Sequence, residues 1–365
     1  MISKVIIGAG FGDCGKGLVT NFLVFDLKST LVVRFSGGQQ AGHTVVEKGI
    51  RHVFSNFGSG TLKGIPTYWS RFCTVDPIGI VNEMADLIKK GVDPILFIDP
   101  SCSITTPYDV MHNQRTDNDN GTCGVGVGTT WQREQDHYSL LFCDLFYPEV
   151  RNMKIAQIIL HYPGAVDIKN FLTACDFLVE CPNVSVGNED IMSEYRTRVF
   201  EGSQGLMLDQ NYGFFPHVTR SNTGLTNVLE LTDENLDVYF VTRAYQTRHG
   251  KGPMSTAGFK HNISMDVNET NVTNKYQGEF RRGLLDVDVL RYAIMRAGDH
   301  EQINDANLVI TCMDHIQNEY RFVKNGEIVI CNDAKDFIRK VSSYFSFARV
   351  YASDGPESKN IKRYG

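Results

Sequence analysis

An aspartate inside a phosphate-binding turn is the first sign of chemistry in this chain. The run Gly8-Ala9-Gly10-Phe11-Gly12-Asp13-Cys14-Gly15-Lys16-Gly17 follows an apolar stretch, Val5-Ile6-Ile7, and precedes a helix-like segment. Gly10, Gly15 and Lys16 fall at the spacing of a Walker A loop. In such loops backbone N–H groups and a helix N-terminus surround polyphosphate oxygens, and the lysine adds a point charge. Two positions depart from that pattern. Gly17 stands where a Ser or Thr hydroxyl would meet Mg2+, and Asp13 puts a carboxylate inside the loop. The exchange points to a phosphate site that also does chemistry.

Three further glycine-rich segments carry polar groups. Arg34-Phe35-Ser36-Gly37-Gly38-Gln39-Gln40-Ala41-Gly42-His43-Thr44 follows the apolar run Leu31-Val32-Val33 and ends on a histidine. A lone histidine is ordinarily structural, but Gly42 allows close backbone approach here, and Asp13 holds the equivalent place after the first strand. Read as neighbouring strand ends over a phosphate loop, Asp13 and His43 make an acid/base pair. Gly121-Thr122-Cys123-Gly124-Val125-Gly126-Val127-Gly128-Thr129-Thr130 offers hydroxyls and free N–H groups to a second phosphate, such as that of a nucleoside monophosphate. Glu201-Gly202-Ser203-Gln204-Gly205 presents an amide, Gln204, able to pair with a base or a carbonyl oxygen.

Short apolar runs must position these loops. Val5–Ile7, Thr30–Val33, Ile95–Ile98, Phe177–Val179, Arg198–Phe200, Val238–Val241 and Leu308–Ile310 each have the length of a buried strand. Helical spacing marks Ile80–Lys90 and Asp286–Ala297 between them. Alternation of this kind predicts an α/β fold, a large and mostly parallel sheet flanked by helices, with ligands at the carboxyl ends of its strands. No linker or repeat divides residues 1–365, which read as a single catalytic domain. The Asn-rich stretch from Lys260 to Gly278 reads as a long surface loop that closes over substrate as a lid or stays disordered.

Composition excludes several classes. A net charge of -6 without a basic run argues against nucleic acid and acidic membrane as partners. No leader-like segment or stretch of about 18 apolar residues appears, so the expected compartment is the cytoplasm. Nine cysteines in an odd set, without a C-x-x-C pair, read as reduced thiols rather than bridges or metal ligands.

Taken in order, Gly12-Asp13-x-Gly15-Lys16-Gly17, Ala41-Gly42-His43-Thr44, Glu201-Gly202-x-Gln204-Gly205, Pro216-x-Val218-Thr219-x-Ser221-Asn222-Thr223 and Thr247-Arg248-x-Gly250-x-Gly252-Pro253 form a specific set. The chain resembles the adenylosuccinate synthetases from Val5 to about Ile361, and its length is closer to their compact archaeal and phage forms. The resemblance implies a GTP- and Mg2+-dependent ligase that phosphorylates O6 of a 6-oxopurine nucleotide and then joins L-aspartate to C6, working as a homodimer.

On that template Asp13 is the base and, with the Gly42 carbonyl, a Mg2+ ligand. His43 is the acid at the transferring phosphoryl group, and Gln204 contacts the purine near O6. Lys16, with Gly15 and Gly17, holds the γ-phosphate, Thr122 and Thr219 lie at the monophosphate, and Gly12, Gly42, Thr44 and Cys123 also bind nucleotide. Thr311 and Asp314 of a Thr-x-x-Asp element, with the Ser353-Asp354-Gly355-Pro356 loop, hold a guanine base. Thr273, Arg281 and Arg282 receive aspartate.

The departures concern the acceptor. Cys123 replaces a threonine of the monophosphate loop, an arginine lent across the dimer interface is absent near Tyr138, and the segment Val272 to Gly283 has lost arginines. Phage relatives, the 2-aminoadenylosuccinate synthetases, use dGMP and supply diaminopurine for viral DNA. The expected acceptor is therefore dGMP, with IMP as the alternative, and a phage-encoded chain would work in the host cytoplasm. A nucleotide-binding switch is the competing class, opposed by the joint presence of Asp13, His43 and Gln204, since a switch needs no acid/base pair.

Overall fold

Strands buried on both faces dominate the centre of the molecule, as expected for a sheet covered on each side. The computed structural model describes residues 2–116, 121–264, 269–271, 273, 275–298 and 300–364. Residues 265–268 of the expected lid, and Val272 and Asn274 of the altered segment, lie outside the described residues. Strand β1 (Ile2–Gly8) feeds helix α1 (Lys16–Leu23) through the glycine loop, and β2 (Thr30–Arg34) follows.

Ten strands form the main sheet among the described residues. Their spatial order is Ile361–Arg363, Arg349–Ser353, Ile303–Thr311, Leu236–Arg243, β1, Thr197–Gly205, β2, Thr67–Trp69, Leu96–Ile98 and Val184–Val186. All neighbours run parallel except the pair Arg349–Ser353 and Ile361–Arg363.

Side chains divide between the two faces with a period of two. Val5, Ile7, Leu31, Val33, Phe200, Val238, Phe240, Leu308 and Ile310 pack in one core with Val287, Leu290, Ala293 and Ala297 of the helix Val287–Ala297. Ile6, Val32, Val199, Tyr239, Val241 and Val309 pack on the other face against Leu18, Val19 and Leu23 of α1. Each such aliphatic burial stabilises the fold by about 1.5–3 kcal/mol before chain entropy is counted. The helices start where their caps dictate: Asp76 accepts from the Ile78 N–H ahead of Pro77–Lys89, and Asp286 accepts from the Asp288 and Val289 N–H groups.

Six of the seven expected strands are present within longer or shifted bounds, and both expected helices are present. Phe177–Val179 is a correction. It belongs to the helix Lys169–Glu180, whose buried residues Phe171, Ala174, Cys175 and Leu178 follow helical spacing. Phe177 itself is exposed. Three consecutive apolar residues do not separate strand from helix, whereas the wider period does. The strand of that region is the short Val184–Val186 at the sheet edge.

A second correction concerns strand neighbours. β1 and β2 are not adjacent, because Thr197–Gly205 lies between them and pairs with both. That insertion brings Glu201 and Gln204 between the two expected catalytic loops.

The third glycine loop is positioned by a buried ion pair. Arg133, on the helix Val127–Gln135, donates from Nε to Asp109 Oδ1 at 2.9 Å and from Nη2 to the Ile104 carbonyl at 2.7 Å. The Tyr162 hydroxyl donates to the same carboxylate at 2.9 Å. These contacts clamp Val127–Gln135 onto Pro107–Thr116, so the turn before the helix is rigidly placed. Arg133 also donates to the Tyr138 carbonyl. No helix among the described residues is long and apolar enough to cross a membrane.

Candidate active site

The carboxyl ends of β1, Thr197–Gly205, Leu236–Arg243 and Ile303–Thr311 open into one cleft of about 820 Å³. Its volume lies toward the upper end of the roughly 300–1,000 Å³ of ordinary small-molecule pockets. Of the expected residues, Asp13, Gly15, Lys16, Gly17, Gly42, His43, Thr44, Thr122, Cys123, Gln204, Thr219, Thr311, Asp314, Gly355 and Pro356 all line it. Residues scattered over most of the chain therefore share one cleft.

Gly17 shows why the Walker hydroxyl is missing. A Cβ there would stand 2.8 Å from His43 Cβ and 3.0 Å from Ser59 Oγ, so the chain carrying His43 occupies the space a serine would need. Gly205 plays the matching part on the next strand, where a Cβ would lie 2.2 Å from the Gly10 carbonyl oxygen and 2.3 Å from the Gly12 nitrogen. The phosphate loop and the Gln204 loop thus meet backbone to backbone. Gly15 caps α1 at φ 86°, and the Thr311 hydroxyl donates to the Cys14 carbonyl at 2.8 Å, tying the turn to the far strand.

Lys16 is buried, with Nζ 3.9 Å from Cys14 Sγ. His43 is buried too, and its Nδ1 lies 2.7 Å from Glu201 Oε1. Glu201 is fully buried and also accepts from the Ser59 N–H at 3.0 Å and from the Ser59 hydroxyl. Burial opposes ionisation of Glu201, yet His43, Arg34 and Ser59 hold its carboxyl down at about 2. Burial pushes the His43 imidazole below its ordinary range, against the pull of Glu201. The ring therefore gives its Nδ1–H to the carboxylate. Its Nε2 is a buried atom with no protein partner among the described residues. A buried polar atom in that state is a place for a ligand.

Asp13 sits at φ 51°, a left-handed conformation that Asp tolerates better than most residues. Its carboxylate is 24% exposed, with Oδ2 3.5 Å from His249 Nε2. Arg243 donates from Nε to the Asp13 carbonyl and from Nη1 to Glu269 at 2.7 Å and to the Tyr245 hydroxyl at 2.6 Å. The Tyr245 oxygen lies 2.8 Å from His315 Nδ1, and His315 Nε2 lies 3.9 Å from Asp314. A polar chain thus joins the Asp13 turn to the other end of the cleft.

Several expected residues stand off the cleft lining. Gly12 is buried beneath it, and Ser353 is fully buried, donating to the Gly355 carbonyl at 2.6 Å to shape the loop that does line it. Thr273 is exposed. Arg281 donates to the Gly252 carbonyl at 2.8 Å and Arg282 to the Ser264 carbonyl at 3.4 Å, one strand away from Arg248, which lines the cleft. Arg248 itself bonds the carbonyls of His217, Lys251 and Pro253 and covers the Phe11 ring at 4.3 Å, so it holds loops together.

Glu201, Arg243, His249 and Glu269 received no role from sequence reasoning. Glu201 and His249 lay inside quoted motifs, but only the strand order shows what they face.

The arrangement can hold a polyphosphate at Lys16 and His43 beside a carboxylate able to take a proton. Comparison with known proteins agrees with it. A family model described as adenylosuccinate synthetase matches residues 5–332. The adenylosuccinate synthetase of Francisella philomiragia is 31% identical over 80% of this chain and 74% of its own length. That of Caldanaerobacter subterraneus is 31% identical over 99% of this chain and 90% of its own.

Among solved structures, the fully ligated adenylosuccinate synthetase of Plasmodium falciparum superposes with a TM-score of 0.78 at 18% identity, covering 99% of each chain. The succinoaminodeoxyadenylate synthetase of cyanophage S-2L, bound to dGMP and dATP, superposes with a TM-score of 0.65 at 16% identity, covering 100% of this chain and 95% of that one. The family match over most of the chain, on a cleft built from these loops, decides the assignment: the chain belongs to the adenylosuccinate synthetase family of carbon–nitrogen ligases.

Proposed function

We propose that this protein uses GTP to join L-aspartate to C6 of a 6-oxopurine nucleotide, with dGMP as the preferred acceptor and IMP as the second. The observation that carries the reading is the convergence of Asp13, Lys16, His43 and Gln204 in one cleft, with His43 Nε2 buried and without a partner among the described residues. Asp13 takes the purine N1 proton, which makes O6 nucleophilic. O6 attacks the γ-phosphorus, the bond to the bridging oxygen breaks, and GDP leaves. Lys16 and His43 face the charge that develops on the phosphoryl oxygens. The aspartate amine then attacks C6, the C6–O6 bond breaks, and O6 departs with the phosphate.

Asp13 and the Gly42 carbonyl suit Mg2+, a hard cation that usually takes one or two carboxylates and completes its shell with phosphate oxygens and water. Among the described residues no group of three or more His, Cys, Asp or Glu competes as a metal site. When bound, the ion neutralises charge on the phosphoryl oxygens. The homodimer belongs to the same reading, supported by exposed Tyr147, Met153 and Leu160 on and beside the helix Pro148–His161.

Asp314 argues for a guanine base in the donor. Its carboxylate lines the cleft beside Gly355 and Pro356, and guanine offers N1–H and the 2-amino group to it, whereas adenine offers neither pattern. Asp314→Asn is expected to raise KM for GTP by roughly 10- to 100-fold at nearly unchanged kcat, the effect of unpairing one or two buried donors. Steady-state kinetics with varied GTP reads it, and an unchanged KM would remove Asp314 from the donor site.

The acceptor choice rests on the lost arginines of the 272–283 segment and on the dGMP bound by the cyanophage neighbour. Purified protein with GTP, Mg2+ and L-aspartate should convert dGMP with a higher kcat/KM than IMP when the two are offered separately. Turnover of IMP alone would overturn the dGMP preference.

A further inference from the structure

We propose that Arg243, Glu269, Asn271 and His249 form a closed polar ring that positions Asp13, so that seating of the 269–271 segment sets the carboxylate in its working geometry. The ring begins at the Asp13 carbonyl, which accepts from Arg243 Nε. Arg243 Nη1 donates to Glu269 Oε2 at 2.7 Å. Glu269 Oε1 accepts from the Asn271 N–H at 3.1 Å and from Asn271 Nδ2 at 2.8 Å. Asn271 Oδ1 lies 3.5 Å from His249 Nε2, and the same nitrogen lies 3.5 Å from Asp13 Oδ2. Both the backbone and the side chain of Asp13 are therefore held by one circuit.

The chemistry of the groups fixes its direction. Glu269 only accepts, so Asn271 turns its amide N–H2 toward it and its Oδ1 toward His249. His249 Nε2 then faces two acceptors and must carry the proton. Its Nδ1 is buried without a partner among the described residues, which a bare acceptor nitrogen tolerates better than a buried N–H would. The Phe280 ring, with centroids 4.8 Å apart, packs beside the imidazole and keeps it in place.

The need for such a ring follows from the backbone. Asp13 occupies a left-handed conformation inside a glycine-rich loop between β1 and α1, outside any strand or helix that would fix it. Arg243 and His249 end two strands, Leu236–Arg243 and Tyr245–His249, and are rigidly placed. Glu269 and Asn271 belong to an irregular segment. Between them the Thr270 hydroxyl lies 3.1 Å from the Thr44 hydroxyl, so the same three residues reach across to the strand that begins at His43. Seating the segment completes the ring and joins the two sides of the cleft in one event.

The proposal rests on the reading of Asp13 as the base, and its test has a readout that does not. His249→Phe and Asn271→Ala should speed amide exchange at residues 12–15 in the nucleotide-free protein and leave Val238–Val241 unchanged. In turnover, His249→Phe should lower kcat by roughly 10- to 100-fold, the cost of an ångström-scale misplacement, with KM for GTP unchanged. His249→Gln, which keeps an N–H donor, should recover most of the loss, and the double variant should be no worse than the poorer single one. Wild-type exchange at residues 12–15 in both variants would overturn the ring, as would a lost kcat that His249→Gln fails to recover. Wild-type protein that turns over neither dGMP nor IMP would sink the ligase reading instead, and the exchange data would still judge the ring.

Discussion

Asp13→Asn is expected to lower kcat by about three orders of magnitude while the protein keeps its fold. The expected size is that of a general base removed from its reaction, roughly 10²- to 10⁴-fold. Asn has the same shape, tolerates the φ of 51° at this position, and still presents an oxygen to His249. It accepts no proton from a purine N1. The side chain is only partly buried, so the melting temperature should move little. Single-turnover assays with saturating GTP and acceptor would read the chemical step apart from binding. A kcat within tenfold of wild type would mean that another group takes the proton.

The second large effect is expected at the His43–Glu201 pair. Glu201→Gln removes the carboxylate that accepts the His43 Nδ1–H, and losing a hydrogen bond to a buried charged group typically costs about 1.5–3 kcal/mol. Without the Glu201 carboxylate the ring tautomer is no longer fixed, so Nε2 is no longer aimed at a phosphoryl oxygen. A fall in kcat of roughly 10²- to 10⁴-fold should accompany the loss of stability. His43→Gln separates the two consequences. It should lose comparable activity but less stability, because Glu201 keeps both donors from Ser59. Urea titrations beside kinetics would show the split, and equal stability losses in the two variants would contradict this division of labour.

The phosphate loop was legible because its parts are local. Val5–Ile7, the glycines, Lys16 and α1 follow one another in sequence, and their spacing alone implies strand, turn and helix. The helix after Asp286 was legible for the same reason. Strand order was not, because Thr197–Gly205 enters between β1 and β2 from far along the chain, and nothing local to any of the three announces it. The link between Glu201 and His43, 158 residues apart, depends on that insertion.

His249 was illegible for a related reason. It lies at an unassigned position of a quoted motif, and only the approach of its strand end to the Asp13 turn gives it a partner. Phe177–Val179 failed on scale, since a three-residue window hid the helical period that Phe171, Ala174, Cys175 and Leu178 display. The resemblance supplied the family, and pairing across the sheet supplied the groups that orient its catalytic side chains.

The most direct test of the central claim follows one oxygen atom. The acceptor nucleotide, dGMP or IMP, is labelled with heavy oxygen at O6 and turned over with GTP and L-aspartate, and the released inorganic phosphate is analysed by mass spectrometry. Phosphorylation of O6 ahead of aspartate attack predicts one labelled oxygen in each phosphate released. Phosphate free of label, with the nucleotide product formed all the same, would contradict a mechanism in which Asp13 and His43 serve phosphoryl transfer to the purine.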